Sequence, residues 1–562
     1  MLMGIREDVT TQLTGPGGPF EIVIEDVLGE PLPVLANRPR SLREMLAASE
    51  AHGDREYLVH EDRRITYAEH VRLVASTARA LQERYGIGKG DVVGILAANG
   101  PDWPIFFWAT VSLGAVVASM NGWWTRDEIE FALGKTRPKL LVGDRRRLER
   151  IADAPHGVTV LELESEREAV QRHALDVPLP DTPIEEDDPA VILFTSGTTG
   201  RPKGAVGTHR GIVGFCQVNI VGGAISTVTA AQEGTAPPPD PNPPAQDASL
   251  VTAPMFHLSG LYANIVMQLQ IGGKLVTRPG RFDPGDVLRL IEQERITMWS
   301  ALGAMGPRVA SHPDIGRYDL SSIRNIGFGG APTSPAVQQM LREAFPGASS
   351  HQGTGYGSSE TVAVVSSVRG PEYRLVPESA GRIMPMHEVE IRDPEGRALP
   401  DGEEGEIHVR SAYLMRGYWD DEAATAETIL PGRWLATGDI GRVEDGFLYI
   451  NSRARDMILR SAENVYPIEI EYRLDEHPDV RESAVVGVEH PELGQEVKAI
   501  VVPTPGRSID AEKLTAWCAE TLAAFKVPSL WEVRDEPLPR NASGKILKNV
   551  LTGEAEVSQI EE

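Results

Sequence analysis

The sequence predicts an α/β protein in two unequal parts: a large N-terminal domain of mostly parallel sheets flanked by helices, and a small, mobile α+β domain at the C-terminal end. Three observations carry this expectation. The chain has 562 residues, more than one hydrophobic core usually supports. Short apolar, strand-like runs alternate with segments of three-and-four apolar spacing, the pattern of parallel sheets covered by helices. After about residue 453 the alternation restarts over a shorter stretch, as a second compact unit would.

The elements follow in chain order. Val71, Val74, Ala75, Ala78 and Leu81 mark one face of a helix, and residues 92–96 read as a buried strand. The apolar stretch 105–120 contains Thr110, Ser112 and Gly114 and falls short of the roughly 18 residues that suggest a membrane span. It is expected to be a buried helix followed by a strand, and no transmembrane segment is expected. Further strands are predicted at 140–142, 190–194 and 274–276, and a helix at 286–294. Residues 234–247 are too rich in proline for a helix or a sheet interior and read as a long exposed loop. In the small domain 468–474 and 514–522 read as helices, and 484–487 and 531–533 as strands. No repeat of fixed period is found.

Composition excludes several classes. Acidic residues outnumber basic ones 81 to 55, for a formal net charge of -26, which repels phosphate backbones and makes nucleic acid an unfit partner. The only cysteines, Cys216 and Cys518, have no metal-ligand spacing and frame no disulfide scaffold. The stretch from Met1 to Phe20 carries acids and glycines rather than the basic start and apolar run of a secretory signal. A cytoplasmic location is expected.

The densest chemical signal is Thr195-Ser196-Gly197-Thr198-Thr199-Gly200-Arg201-Pro202-Lys203-Gly204, which follows an apolar strand. Glycines let backbone N–H groups approach an anion, hydroxyls add donors, and Lys203 adds positive charge, which suits a polyphosphate. Pro202 and Lys203 break the order of a Walker loop, and taken alone the string reads equally well as a mobile polar turn.

The whole string resembles the phosphate loop of the acyl-adenylate-forming enzymes: acyl-CoA synthetases, firefly-type luciferases and peptide-synthetase adenylation domains. Pro254-Met255-Phe256-His257, Gly329-Gly330-Ala331-Pro332, Gly355-Tyr356-Gly357-Ser358-Ser359-Glu360, Thr437-Gly438-Asp439, Ser452 to Asp456, Glu463 to Pro467 and Asn541-Ala542-Ser543-Gly544-Lys545 resemble further signatures of that family, in its order. Asn121 to Thr125 resembles a looser one upstream.

The resemblance implies an ATP-dependent, AMP-forming acid–thiol ligase that uses Mg²⁺ and coenzyme A, and it assigns roles. Tyr356 would lie against adenine, with Gly329, Gly330, Ala331 and Gly357 bringing main chain near the base. Asp439 would accept hydrogen bonds from the ribose hydroxyls, and Arg453 would add a donor at the nucleotide. Glu360, beside Ser359, would hold Mg²⁺ near the phosphates, as magnesium prefers a carboxylate plus phosphate oxygens. His257 would stand at the acid-binding end. Lys545 would meet the substrate carboxylate and the α-phosphate, offsetting the charge that spreads there. Arg455 would be the hinge within 453–456, between a large domain of residues 1–452 and a small one of 457–562.

Around the acid, Ser259, Gly260, Gly303, Ala304, Met305 and Phe328 are small or apolar and offer no partner for a second charge, so an acid with an apolar body is implied. Ser259 stands where hydroxycinnamate ligases often place an aromatic residue, which favours a medium- or long-chain fatty acid. The alternatives are an aryl or alicyclic acid, or an acyl-AMP ligase that serves a carrier protein. His257 occupies the place where amino-acid-adenylating modules carry Asp. Ser461-Ala462 replaces two glycines that many CoA ligases have near the pantetheine arm, and the two added Cβ atoms would narrow that passage. A homodimer is left open.

Overall fold

The structure, a computed structural model, describes residues 2–153, 156–195, 202–236, 244–328, 333–348, 352–453, 456–460, 463–490, 493–542 and 544–555. Among these residues the large N-terminal domain is built on two principal sheets. The first has six strands in the spatial order Lys203–Thr208, Pro189–Thr195, Val116–Ser119, Val92–Leu96, Leu140–Gly143 and Thr159–Glu162. All neighbours are parallel except the first pair, which forms a hairpin. The central strands are apolar on both faces, as sheets covered on both sides require.

The second sheet begins with the hairpin Glu56–His60 and Arg63–Thr66. It continues in parallel through Lys274–Thr277, Ala248–Val251, Met298–Ser300, Asn325–Gly327 and Gly353–Tyr356. Beyond Gly353–Tyr356 every pairing is antiparallel, through Ser366–Arg369, Gly381–Ile383, Phe447–Arg453, Trp434–Glu444, Gly405–Ser411 and His387–Arg392. The expectation of mostly parallel sheets therefore fails for this half. One of its turns is a tight hairpin: Asp445 and Gly446, with φ of 53° and 76°, reverse the chain between Trp434–Glu444 and Phe447–Arg453.

Helices fill the space between the sheets. Tyr67–Tyr85 starts where the Thr66 side chain accepts from the Glu69 N–H and stops at Gly86 in the left-handed region. Its apolar face joins Asp102–Ser112, whose Trp103, Phe106, Phe107 and Trp108 are fully buried. A second core under the long sheet gathers Trp299, Phe328, Phe345 and Tyr373.

The helix His209–Glu233 was not anticipated as one element. It is long and apolar enough to cross a membrane, with a mean hydropathy of 1.5, yet 61% of its most apolar window is buried within the protein. Gly214 lets it lie against the ring of Tyr413, which a Cβ there would overlap. It ends at Gly234, and the next strand starts at Ala248, so the proline-rich segment 234–247 is a connection; its residues 237–243 lie outside the described ones.

The smaller C-terminal domain has a sheet in the order Glu463–Val465, Ile458–Arg460, Gly494–Pro503 and Val480–His490, with Leu530–Val533 parallel to Gly494–Pro503. Helices Pro467–Asp475 and Ala511–Ala519 close a core that includes Ile470, Leu474, Val485, Leu514 and Cys518. The second helix begins three residues before its expected start of 514 because Asp510 caps it, accepting from Glu512 and Lys513 N–H.

Candidate active site

Several parallel strands of both sheets end at one place, the position where open α/β sheets bind ligands. Pro189–Thr195 runs out of the first sheet into the phosphate-loop string. Thr195 pairs in register with Lys203, so the two ends of that loop are pinned together; Ser196, Gly197, Thr198, Thr199 and Gly200 lie outside the described residues.

Lys203 extends its ammonium over the ring of Tyr418, 5.0 Å from the centroid, and the Tyr418 hydroxyl donates to Glu360 Oε1 at 3.1 Å. Main-chain bonds hold this group together: Val206 N donates to the Gly417 carbonyl, Trp419 N to Gly204 and Met415 N to Glu360. Burial and the neighbouring Glu360 carboxylate push the Tyr418 hydroxyl well above its ordinary pKa. It remains a donor. Lysine, tyrosine and glutamate thus converge, and a single carboxylate beside a cation is a donor set that fits Mg²⁺ when phosphate oxygens supply further ligands. Glu360 is presented by a tight turn in which the Ser358 hydroxyl accepts from Glu360 N and Thr361 N, while Ser358 N donates to Thr361 Oγ1. Ser359, named beside Glu360 from the sequence, is half-buried on that turn.

On the nucleotide side Tyr356 ends its strand and donates its hydroxyl to Asp439 Oδ2 at 2.6 Å. Both residues are nearly buried. Asp439 pairs in register with Arg453 across the hairpin, and Asp439 N donates to Thr437 Oγ1. The two residues expected at adenine and ribose are therefore joined. Gly357 is exposed, and a Cβ there would come within 3.1 Å of the Ala363 carbonyl. Gly329, Gly330, Ala331 and Arg455 lie outside the described residues, as do Ser461 and Ala462.

At the acid end, the loop carrying His257 is clamped from the first sheet. Asn99 Nδ2 donates to the Ala253 carbonyl at 2.8 Å, and Met255 N donates to Asn99 Oδ1 at 2.9 Å. Ser119 Oγ donates to the Phe256 carbonyl at 3.0 Å. The His257 ring lies 4.8 Å from that of Phe256; its Nε2 is buried without a hydrogen-bond partner among the described residues. Burial pushes the imidazole down to about 4, so it is neutral at physiological pH. Gly260 follows where a Cβ would collide with the Pro254 carbonyl. The Ser259 carbonyl accepts from Asn264 Nδ2, within a π-helical turn over Leu261–Val266, a distortion common at functional sites.

Gly303 and Ala304 lie on the loop after Met298–Ser300, and Met305 and Phe328 pack against the second core with Trp299 and Tyr373.

The small domain closes over this end. A Cβ at Gly303 would meet the Gly544 carbonyl at 2.6 Å, so the Lys545 loop rests against the acid-side loop. Its stem is set by Lys545 N donating to Asn541 Oδ1 at 2.9 Å.

Comparison with known proteins settles what this arrangement belongs to. A profile for AMP-binding enzymes matches residues 46–419, and one for the AMP-binding enzyme C-terminal domain matches residues 469–545. The chain belongs to the AMP-binding enzyme family. It is 35% identical over 493 residues to feruloyl-CoA synthase of Amycolatopsis sp, covering 87% of this chain and 94% of that one. It is 30% identical over 502 residues to indoleacetate–CoA ligase of Aromatoleum aromaticum, covering 87% and 92%. Its fold matches o-succinylbenzoate CoA synthetase of Bacillus subtilis in complex with an acyl-adenylate, with a TM-score of 0.73, 29% identity and coverage of 90% and 97%. This AMP-binding enzyme is an ATP-dependent, AMP-forming acid:CoA ligase, with ATP and coenzyme A as substrates and Mg²⁺ as the activating ion. Tyr418, Asn99 and Ser119 were missed from the sequence, while Ser358 stood inside the Gly355–Glu360 signature without a role of its own. Tyr418 and Asn99 lie far along the chain from the motifs they serve.

Proposed function

We propose that the acid this enzyme activates is carried on a ring, aromatic by preference, and that the residues above divide the work in two steps. In the first, the substrate carboxylate attacks the α-phosphorus of ATP and pyrophosphate leaves. Lys545 and Lys203 offset the charge that develops, and Mg²⁺, held by Glu360, supplies further screening when bound. Tyr356 and Asp439 hold the nucleoside, with the carboxylate accepting from ribose hydroxyls; neutral His257 stands beside the acid. In the second, the coenzyme A thiol attacks the acyl carbon and AMP leaves. A lysine pressed to the α-phosphate obstructs that approach, so the small domain, residues 457–562, turns about Arg455 against residues 1–452.

The observation that carries the ring is the naming of the compared relatives, which act on feruloyl, indoleacetate and o-succinylbenzoate groups. The fatty acid expected from Ser259 has less support, from a solved fatty acyl CoA synthetase of Mycobacterium tuberculosis to which the chain is also similar. Ser259 sits on a turn reshaped by the Asn264 bond and the π-helix, so pocket width does not follow from that side chain alone. Pyrophosphate release over ferulate, 4-coumarate, indoleacetate, cyclohexanecarboxylate, octanoate and palmitate, with and without coenzyme A, tests the reading. Ring acids should lead; octanoate or palmitate outrunning them would return the substrate to the aliphatic class. Two buried, unpaired cysteines suit a reducing compartment, and the cytoplasm is the proposed location.

A further inference from the structure

We propose that Arg540 is a positioning residue for Lys545, fixing the reach of the lysine loop during adenylation and playing no part once that loop has left. The inference rests on the reading of Lys545 as the adenylation lysine. It starts from how the loop is built. Asn541 N donates to the Lys545 carbonyl at 2.9 Å and Gly544 N to the Asn541 carbonyl at 2.8 Å, while Arg540 and Ile546 pair across the stem as an antiparallel bridge. These bonds close the loop on itself. They do not fix the angle at which it leaves the domain.

The Arg540 side chain supplies that angle. Its Nη1 donates to the Gly544 carbonyl at 2.8 Å, and its Nη2 donates to Glu482 Oε2 at 3.1 Å. Glu482 belongs to the strand Val480–His490, which pairs along its length with the central strand Gly494–Pro503 of the small-domain sheet, and it also accepts from Leu538 N. The guanidinium therefore ties the residue before Lys545 to the sheet of its domain. A planar fork holds two partners in fixed relation, whereas a lysine ammonium could reach one without orienting the other. Arg540 is also attracted by Asp475, the last residue of the helix Pro467–Asp475.

The carbonyl that Arg540 grips is the one that decides clearance. Gly544 O is the nearest atom to a Cβ built on Gly303, so it faces the acid-side loop of the large domain. A swing of that peptide would either press it into Gly303 or withdraw Lys545 from the site. Arg540 is half-buried and outside the hydrophobic clusters of the domain, so its loss leaves the core packed.

The experiment measures the two half-reactions separately: pyrophosphate release with ferulate as the probe acid, or with the fastest acid of the panel above if ferulate is not turned over, and thioester formation from the matching preformed acyl-AMP. Arg540→Ala and Glu482→Gln should slow pyrophosphate release by about tenfold or more, since a misplacement near 1 Å at a reacting centre costs up to about 100-fold. Arg540→Lys should fall between them and wild type. Thioester formation from acyl-AMP should change by less than about twofold in all three. Equal losses in both half-reactions, in Arg540→Lys as in Arg540→Ala, would reduce the residue to fold support and overturn the proposal. Lys545→Ala separates the two readings. If it is impaired while the Arg540 variants release pyrophosphate normally, only the positioning role falls; if it releases pyrophosphate normally, the lysine assignment falls and takes the positioning role with it.

Discussion

Asp475 sits where a carboxylate is costly. Burial raises its pKa to about 6, hydrogen bonds from Ser483 and Ser334 pull it part of the way back, Glu471 raises it and Arg540 lowers it. Ser334 belongs to the large domain, where it caps the helix Pro335–Ala344, so part of the relief comes from the contact between domains. Because the folded value lies above the ordinary one of 3.8, no penalty exists below that value, where the group is protonated in both states. It grows as pH rises towards 6 and is complete above it. Asp475→Asn keeps the shape and removes the charge. At pH 7.5 it should gain about 1–2 kcal/mol, a shift of this size being worth at most about 3 kcal/mol before allowing for the solvent that still reaches the group. Thermal melts at pH 7.5 and pH 4 check this: the variant's midpoint should rise at the first and match wild type at the second.

The acid-side loop after Met298–Ser300 carries a second constraint. Gly303 has φ of 53°, a region L side chains rarely adopt, and its missing Cβ leaves room for Gly544. Gly303→Ala should therefore hinder adenylation by at least about tenfold, through local backbone strain and loss of closure. Thioester formation from preformed acyl-AMP, which does not use this closure, should be much less affected, and stopped-flow measurement of each half-reaction tells them apart. Elements like these were unequally legible in the sequence. Val92–Leu96 and Pro189–Thr195 read clearly because both faces are buried and the runs are unbroken apolar. The antiparallel strands did not, since Gly381–Ile383 has three residues and His387–Arg392 mixes buried with exposed positions. Within the site, Glu360 and Lys203 could be read from their motifs. Tyr418, which bridges them, could not: it enters through pairing of 415–419 with 203–206, a contact far apart in sequence with no local signature.

At the scale of the whole molecule, the proposed mechanism assigns a separate arrangement of the two domains to each half-reaction. On the proposed two-step reading, the close approach of Gly544 to Gly303 is the lysine-in arrangement, and thioester formation calls for another. Arg455→Pro fixes φ near -65° at the proposed hinge, and it should slow thioester formation far more than pyrophosphate release. Equal loss in both would move the hinge elsewhere.

The long helix His209–Glu233 also has a consequence in time. Its apolar faces are covered by Met384, Met386 and Tyr413 as well as by the N-terminal helix Leu2–Thr14 and its neighbouring hairpin. The N-terminal partners are made before it. The others emerge much later, and at ordinary translation speeds the interval is on the order of ten seconds or more. During that wait a nascent chain displays a segment that resembles a membrane span in length and composition, held only by the part of its cover already synthesised. The order of synthesis, rather than the finished fold, thus leaves this helix part-covered until residues 384–413 are made.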